Sequence, residues 1–478
     1  MFAVQLGYNI SGSHMNPAVS FLMFTFGHLS FSNFLYYFLA QTSGAFLGSA
    51  LTYFQYYDLI NSLDGGNRAV QGPGATAFFF ATYPHENLTF LGAVYDQTMC
   101  TFMLCFIIGI INDPKNRIPR VARPPMFGLM VLLLCLGFGL NAGNAMNPAR
   151  DLGPRLFTLC AGYGIEVFSY WNYRWFLIPI FCPLIGGTAG GWFYHLIFAA
   201  NNDEHIEFKP VSQTPSPPTW TIQKHTLNKM TTFDSFPDRL RHRLKIRNEL
   251  VRNALCEFVC TTVLIFGGDS VVACAILKQG FNEWIGITVG WGLALMVAAQ
   301  LGFRTSGAHM NPAVSLFVFT FGQLSFPHML VYWIAQVLGG FTGAALVFFM
   351  YYDAISDFDG GTRLVTGVRK TAGIFSTYPQ DYLSIGGGVL DQILGTAMLC
   401  FFVFSYRGYK WFLVPVLAPL VGGVLGAWTY QLLIGFHIPS ELDEIEEEFR
   451  KLQKDKFHQT VTLQENETPQ SSTHQNVH

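Results

Sequence analysis

The chain has 478 residues, of which 51% are hydrophobic, 16% aromatic and only 12% charged. That charged share is about half of what a soluble globular domain carries, so one water-soluble core cannot bury the apolar side chains and a polytopic membrane protein is expected. The net charge of -2 lacks the basic face nucleic acid needs. The nine Cys are scattered without a CxxC pair or a His cluster at ligand spacing, which excludes a disulfide framework or a zinc site.

Met1 opens on a short apolar run and then polar residues, so no secretory signal is expected there. The chain reads as beginning inside a repeat. SGSHMNPAVS at 11–20 recurs as SGAHMNPAVS at 306–315, a shift of 295 that also carries Asp64-Gly-Gly onto Asp359-Gly-Gly and Asp96-Gln onto Asp391-Gln. Farther on, WFLIPIFCPLIGG at 175–187 recurs as WFLVPVLAPLVGG at 411–423 with a shift of 236. The second copy is therefore 59 residues shorter, over roughly 110–168 of the first. It also has residues about 250–295 with no counterpart in the first, since Met1 aligns with Met296.

This divides the chain into copy one at 1–200, without its first two spans, and copy two at 250–436, without its fifth span and second NPA. A polar, basic linker joins them at 201–249, and an acidic, then disordered, tail follows at 437–478.

Nine apolar runs are long enough to cross a bilayer. They lie at 34–57, 91–111, 126–142 and 175–198 in copy one, and at 251–275, 284–303, 328–352, 387–405 and 411–435 in copy two. The run 126–142 is short and needs part of 121–125. Lys115, Arg117, Arg120 and Arg123, and the basic linker, mark the cytosolic side. The loop 58–90 is then outside, and Asn87-Leu-Thr in it is a permitted glycosylation sequon. In copy two the runs 387–405 and 411–435 should both point inward, so either the tail ends outside or one run does not span.

NPA occurs three times, as Asn16-Pro17-Ala18, Asn147-Pro148-Ala149 and Asn311-Pro312-Ala313. Asn caps a helix and Pro suits its first turn. A short apolar helix starting inside a membrane is tolerated only where it lines a cavity. Two such helices meeting head to head would present two Asn amide donors and two positive dipole ends, which interrupts a proton wire and repels cations.

These motifs resemble those of the aquaporin (major intrinsic protein) family. Asn147-Pro-Ala-Arg-Asp-Leu-Gly-Pro-Arg and the loop signatures Ala-Thr-Tyr-Pro at 81–84 and Ser-Thr-Tyr-Pro at 376–379 are similar to its aquaglyceroporin branch. The resemblance implies an all-α bundle with re-entrant NPA half-helices, one pore per copy, usually in tetramers. It implies Asn16 and Asn147 as central donors, Arg150 as filter cation, Asp151 as the branch-marking acid, and His14 and His309 in the cytosolic vestibule. Trp291 matches the aromatic filter position, while Asn144 and Cys135 stand at two further filter positions and imply a more polar, wider constriction. Neither copy holds a complete filter.

Glu257 is expected to support a half-helix, and Asp96 and Asp391 to sit near span ends without a catalytic role. Gly44, Gly48, Gly186 and Gly187 read as close helix packing. No enzyme, metal or cofactor is expected, since no nucleophile–base pair or ligand set occurs. The function implied is a passive plasma-membrane channel for water and small uncharged solutes such as glycerol, as a homo-tetramer or in assembly with related channels. The alternatives are a non-conducting truncated paralogue or partner subunit and, further off, a secondary transporter. The gaps fit two neighbouring channel sequences joined with a segment lost from each, the favoured reading. They also fit one chain in which the first spans of copy two pack against the second NPA half of copy one.

Overall fold

The computed structural model describes residues 2–8, 10–199, 236–278, 284–379 and 383–406, and every regular element among them is helical. Copy one contains α1 (Phe2–Gly7), α2 (Pro17–Thr25), α3 (Phe31–Gln55), α4 (Tyr57–Asp64), α5 (Phe90–Asn112), α6 (Arg123–Phe138), α7 (Pro148–Thr158), α8 (Glu166–Ser169) and α9 (Ile178–Phe193). Then follow α10 (Phe236–Leu244), α11 (Glu249–Leu277), α12 (Trp284–Gly302), α13 (Pro312–Thr320), α14 (Phe326–Met350), α15 (Tyr352–Asp359) and α16 (Ile385–Tyr406).

Polar caps set where the long helices start. Ser30 accepts from the Asn33 amide, Thr89 from Gly92, Asn248 from Val251 and Ser325 from His328. Both short outer helices, α4 and α15, stop at a left-handed glycine, Gly65 and Gly360.

Among the described residues six helical stretches are long and apolar enough to cross a membrane: Phe90–Asn112, Arg120–Phe138, Ile178–Ala199, Glu249–Leu277, Trp284–Gly302 and Phe326–Met350. The short run at 126–142 gains its length toward Arg120, as expected. Of the nine runs, α3 has 25 residues but is diluted by Ser, Thr, Gln and Tyr, and the apolar part of α16 is only Ile385–Cys400. The run 411–435, most of the linker and the tail lie outside the described residues.

The chain divides into two compact units, the first drawn from Met1–Ser315 and Gly322–Pro379, the second from Leu316–Phe321 and the residues from Gln380 onward. The second unit holds the later part of α13 together with α16, which is capped by Ser384, whose Oγ accepts from the Gly387 amide at 3.1 Å.

In the first unit one buried cluster runs through both copies. It joins Phe106, Ile110, Leu133 and Phe138 of copy one to Cys260, Phe266, Val271, Ala294 and Leu301 of copy two. Helices α11 and α12 lie across α6, with the Phe138 and Phe266 rings 5.1 Å apart. This is the packing expected if the copies complement one another. A Cβ at Gly137 would already touch Ser270 and Val271 at 3.4 Å. Tyr351 donates its hydroxyl to the Gly137 carbonyl, and Asn141 Nδ2 donates to the Met350 carbonyl at 2.8 Å.

Two glycine assignments hold and two do not. A Cβ at Gly186 would strike the Thr98 backbone, and one at Gly187 would press on Cys105, so α9 and α5 pack in close contact there. Gly44 and Gly48 face open space. The expectation for them rested on spacing, which does not say which face of α3 meets a neighbour.

Outside the spans the repeat is kept side chain by side chain. Asp64 accepts from Arg68 at 2.7 Å, Thr76 at 2.9 Å and the Gly66 amide at 2.9 Å, and Asp359 accepts from Arg363, Thr371 and the Gly361 amide at 2.8 Å each. Burial pushes both carboxyls up, but these hydrogen bonds and the guanidinium charge outweigh it and hold them below the usual carboxylate range.

Gly137→Leu should therefore lower the melting temperature of the detergent-solubilised chain, by overpacking worth about 1–3 kcal/mol. Gly44→Leu should leave it unchanged. Equal effects would mean that α11 does not pack on α6.

Candidate pore site

The site is built by two half-helices, α2 and α7, that start inside the bundle. Asn16 Oδ1 accepts from the Ala18 amide at 2.8 Å, and Asn147 Oδ1 accepts from Ala149 at 3.0 Å and Arg150 at 3.2 Å. Pro17 and Pro148 fill the first turns, where no amide donor is needed. Each Asn thus caps its own helix with its oxygen.

With its nitrogen each Asn reaches the other motif. Asn16 Nδ2 donates to the Met146 carbonyl at 2.9 Å, and Asn147 Nδ2 donates to the Met15 carbonyl at 2.8 Å. A primary amide has two N–H groups, so one on each Asn stays available.

These carbonyls are aimed by an unusual backbone. Ser13 and Met15 have φ of 48° and 50°, Asn144 and Met146 have 55° and 44°, and Ala308 and Met310 have 49° and 53°. In all three motifs the residues three and one before the Asn are left-handed. For residues with a Cβ this costs of order 1–3 kcal/mol each and persists only where the surroundings over-determine it. The reciprocal Asn bonds supply that constraint in copy one.

Asn16, Asn147, Arg150, Asn144, Cys135 and His14 all line one cavity of about 1020 Å³. Leu104, Ile108, Phe127, Met130 and Val131 form its apolar wall, and Tyr8, Asn112, Arg120 and Arg123 also line it. Arg150 and Asn147 border a second cavity as well, of about 530 Å³, with Gln41, Ala45 and Phe80. Arg150 is not paired with any acid among the described residues. Its Nη1 donates to the Phe80 carbonyl at 3.0 Å. Asn144 donates one N–H to the Leu134 carbonyl at 2.9 Å, which anchors its amide in the cavity wall.

Asp151 has a structural partner set. Its Oδ1 accepts from Arg155 Nε at 2.9 Å, and its Oδ2 accepts from the Thr82 amide at 2.8 Å and the Thr82 hydroxyl. Arg155 also donates to the carbonyls of Thr82 and Val167, both at 2.6 Å, and Trp175 Nε1 donates to Thr82 at 2.6 Å. Asp151, Arg155 and Trp175 are all buried. The loop motif at 81–84 and the acid after the filter arginine are thus two halves of one contact. Thr82, Arg155 and Trp175 went unassigned in the sequence. Arg155 stands inside the quoted NPA motif and Thr82 inside the loop signature, but nothing local says that they meet across 69–73 positions.

Copy two keeps a matching half. Glu257 receives four donors: Ser306 Oγ at 2.6 Å, His309 N at 2.9 Å, Met310 N at 2.7 Å and Gln336 Nε2 at 2.9 Å. The carboxylate thereby fixes the turn that leads into Asn311, whose Oδ1 caps the Ala313 amide at 2.8 Å. Pro312 opens α13. In copy one Gln97 Oε1 accepts from the Met146 amide at 3.4 Å in the same way.

His309 is buried, with Nδ1 3.1 Å from Ser315 Oγ, and is absent from the lining of the cavity that His14 borders. Trp291 lies against Gly268 of α11, and the structure does not bring it to the cavity of Arg150. Two further carboxylates lie inside helices. Asp96, seven residues into α5, is fully buried and accepts from Asn141 at 3.0 Å and Gln97 at 2.8 Å. Asp269 of α11 is buried with no hydrogen bond to a described residue.

Thr82→Val should strip the hydroxyl donor from a buried charged pair, leaving only the backbone amide on that oxygen, and cost about 1–3 kcal/mol. The check is thermal unfolding of the purified chain beside Thr188→Val, whose hydroxyl bonds only its own helix, to the Leu184 carbonyl at 2.8 Å. Indistinguishable melting of the two variants would contradict the clamp.

A family model described as major intrinsic protein matches residues 1–194 and 245–410. Mouse aquaporin-9 is 39% identical over 232 residues, which are 48% of this chain and 76% of the relative. Human aquaporin-10 is 42% identical over 206 residues, 43% of this chain and 68% of the relative. An aquaglyceroporin structure from Plasmodium falciparum aligns at 28% identity with a TM-score of 0.36, over 40% of this chain and 76% of that one. The chain is a multi-pass integral membrane protein with two family matches in tandem, and it belongs to the major intrinsic protein family.

Proposed function

We propose that the chain is a passive channel for water and small uncharged solutes such as glycerol. The observation that carries this reading is the pair of half-helix starts whose Asn amides donate to each other's backbone in the wall of one cavity with Arg150. The free N–H of each Asn and the outer N–H groups of Arg150 offer donors to a solute oxygen. Leu104, Ile108, Met130 and Val131 offer an apolar wall to its CH groups. Two helix N-termini and a guanidinium make the passage positive, which disfavours cations. Names of relatives containing "aquaporin" and "aquaglyceroporin" support the same class.

In this reading Asn16, Asn147 and Arg150 contact the solute, and Asp151 positions Arg150 through the 80–82 loop. The host is the plasma membrane, and the assembly is a tetramer of copies or a mixed assembly with related channels. A non-conducting partner subunit is the second reading. It is favoured by the absence of Trp291 from the lining of the cavity that Arg150 borders. A coupled transporter has less support, because Glu257 and Asp96 are committed to amide and hydroxyl donors and Asp269 bonds no described residue.

Stopped-flow swelling of proteoliposomes separates these. The channel reading predicts water and glycerol permeability above empty liposomes, with glycerol flux cut by Arg150→Val. Rates equal to empty liposomes for both solutes would support the non-conducting subunit.

A further inference from the structure

The repeat leaves one half of a polar contact unmated on each copy. In the first unit Asp353, in the first turn of α15, accepts from the Thr89 amide at 2.9 Å and the Thr89 hydroxyl at 2.7 Å. Thr89 is the N-cap of α5, so a carboxylate of copy two sits on the start of a copy-one helix. The contact needs the glycine one turn on, since a Cβ at Gly92 would run into the Asp353 carboxylate.

Shifted by 295 positions, Asp353 becomes Asp58, Thr89 becomes Ser384 and Gly92 becomes Gly387. All three residue types needed are present. Asp58 occupies the same first-turn place on α4, is exposed, and bonds no described residue. Ser384 caps α16 as Thr89 caps α5, with Gly387 N on its Oγ at 3.1 Å and Gly388 N on its carbonyl at 2.8 Å. It too is exposed, and no carboxylate among the described residues reaches it. Gly387 meets only Leu383 and Ser384, so nothing within the described chain requires a glycine there. Tyr351, beside Asp353, is 0% exposed, whereas its counterpart Tyr56 beside Asp58 is 48% exposed.

We propose that Asp58 of one chain docks on the Ser384 helix start of a second copy of this chain, with the reverse contact made at the same time. The pairing is reciprocal: Asp58 meets the second chain's Ser384 while Ser384 meets that chain's Asp58, as a two-fold interface requires. Two chains then supply four copies. The inference concerns assembly and does not depend on what crosses the pore.

Cysteine pairing tests it. Asp58→Cys with Ser384→Cys, in a full-length chain with the exposed Cys135 and Cys160 changed to Ser, should give a disulfide-linked band at twice the chain mass on mild oxidation. Each single variant should not. Asp353→Cys with Thr89→Cys serves as the control and should close within one chain, without a doubled band. In the unmodified background, Asp58→Arg should raise the dissociation constant of the two-chain particle roughly tenfold to hundredfold by light scattering. A control pair that closes while the Asp58–Ser384 pair gives no doubled band would overturn the proposal. So would an Asp58→Arg chain that stays dimeric at the wild-type concentration dependence.

Discussion

The first unit depends on the two Asn side chains that exchange hydrogen bonds at its centre. A half-helix starting inside hydrocarbon exposes amide donors that no water can satisfy. Asn16 and Asn147 answer this twice over. Each oxygen caps its own helix, and each nitrogen holds the strained turn that leads into the other. Remove either and the amides it caps, Ala18 for Asn16 or Ala149 and Arg150 for Asn147, and a left-handed Met lose their reason to stay in place. The positive, donor-rich character of the passage follows from the same bonds, since they leave one N–H of each Asn free at the centre.

A second constraint holds Arg150. The 80–82 loop gives one carbonyl to Arg150 and wraps Thr82 around the Asp151–Arg155 pair. The ion pair is buried and fully hydrogen-bonded, so losing one partner would leave an uncompensated charge. This explains why an acid directly after the arginine and a Thr in a distant loop occur together in one chain. The two copies then share a core, but the shared helices α11 and α12 cover the flank of α6 and do not line the cavity. Copy two therefore braces the wall of copy one's cavity without lining it.

Much of this was legible in the sequence because it is local. Asn before Pro announces a capped helix start, and the shift of 295 announces the repeat. That Glu257 is paired or functional could be read because a carboxylate inside a span is costly, while its role as a brace came from the family resemblance. What stayed hidden depends on which faces meet. Met15 and Met146 in left-handed geometry have no sequence signature, since Met does not favour it. Gly186 and Gly187 pack closely while Gly44 and Gly48 face open space, although all four sit in apolar helices. Trp291 occupies the family's filter position by count, but its contact with Gly268 of α11 could not be read from that count, because a position in a motif fixes spacing and not the neighbour. The contact of Thr82 with Asp151 joins residues 69 positions apart, which no periodicity reports.

The central claim is that the passage is lined at its midpoint by donors alone. The most direct test is proton flux measured beside water flux in the same proteoliposomes, with a pH-sensitive dye inside. The account predicts osmotic water flux above empty liposomes with proton flux at the empty-liposome level. Proton flux rising in step with water flux would contradict it, because a continuous hydrogen-bonded wire would then run past Asn16 and Asn147.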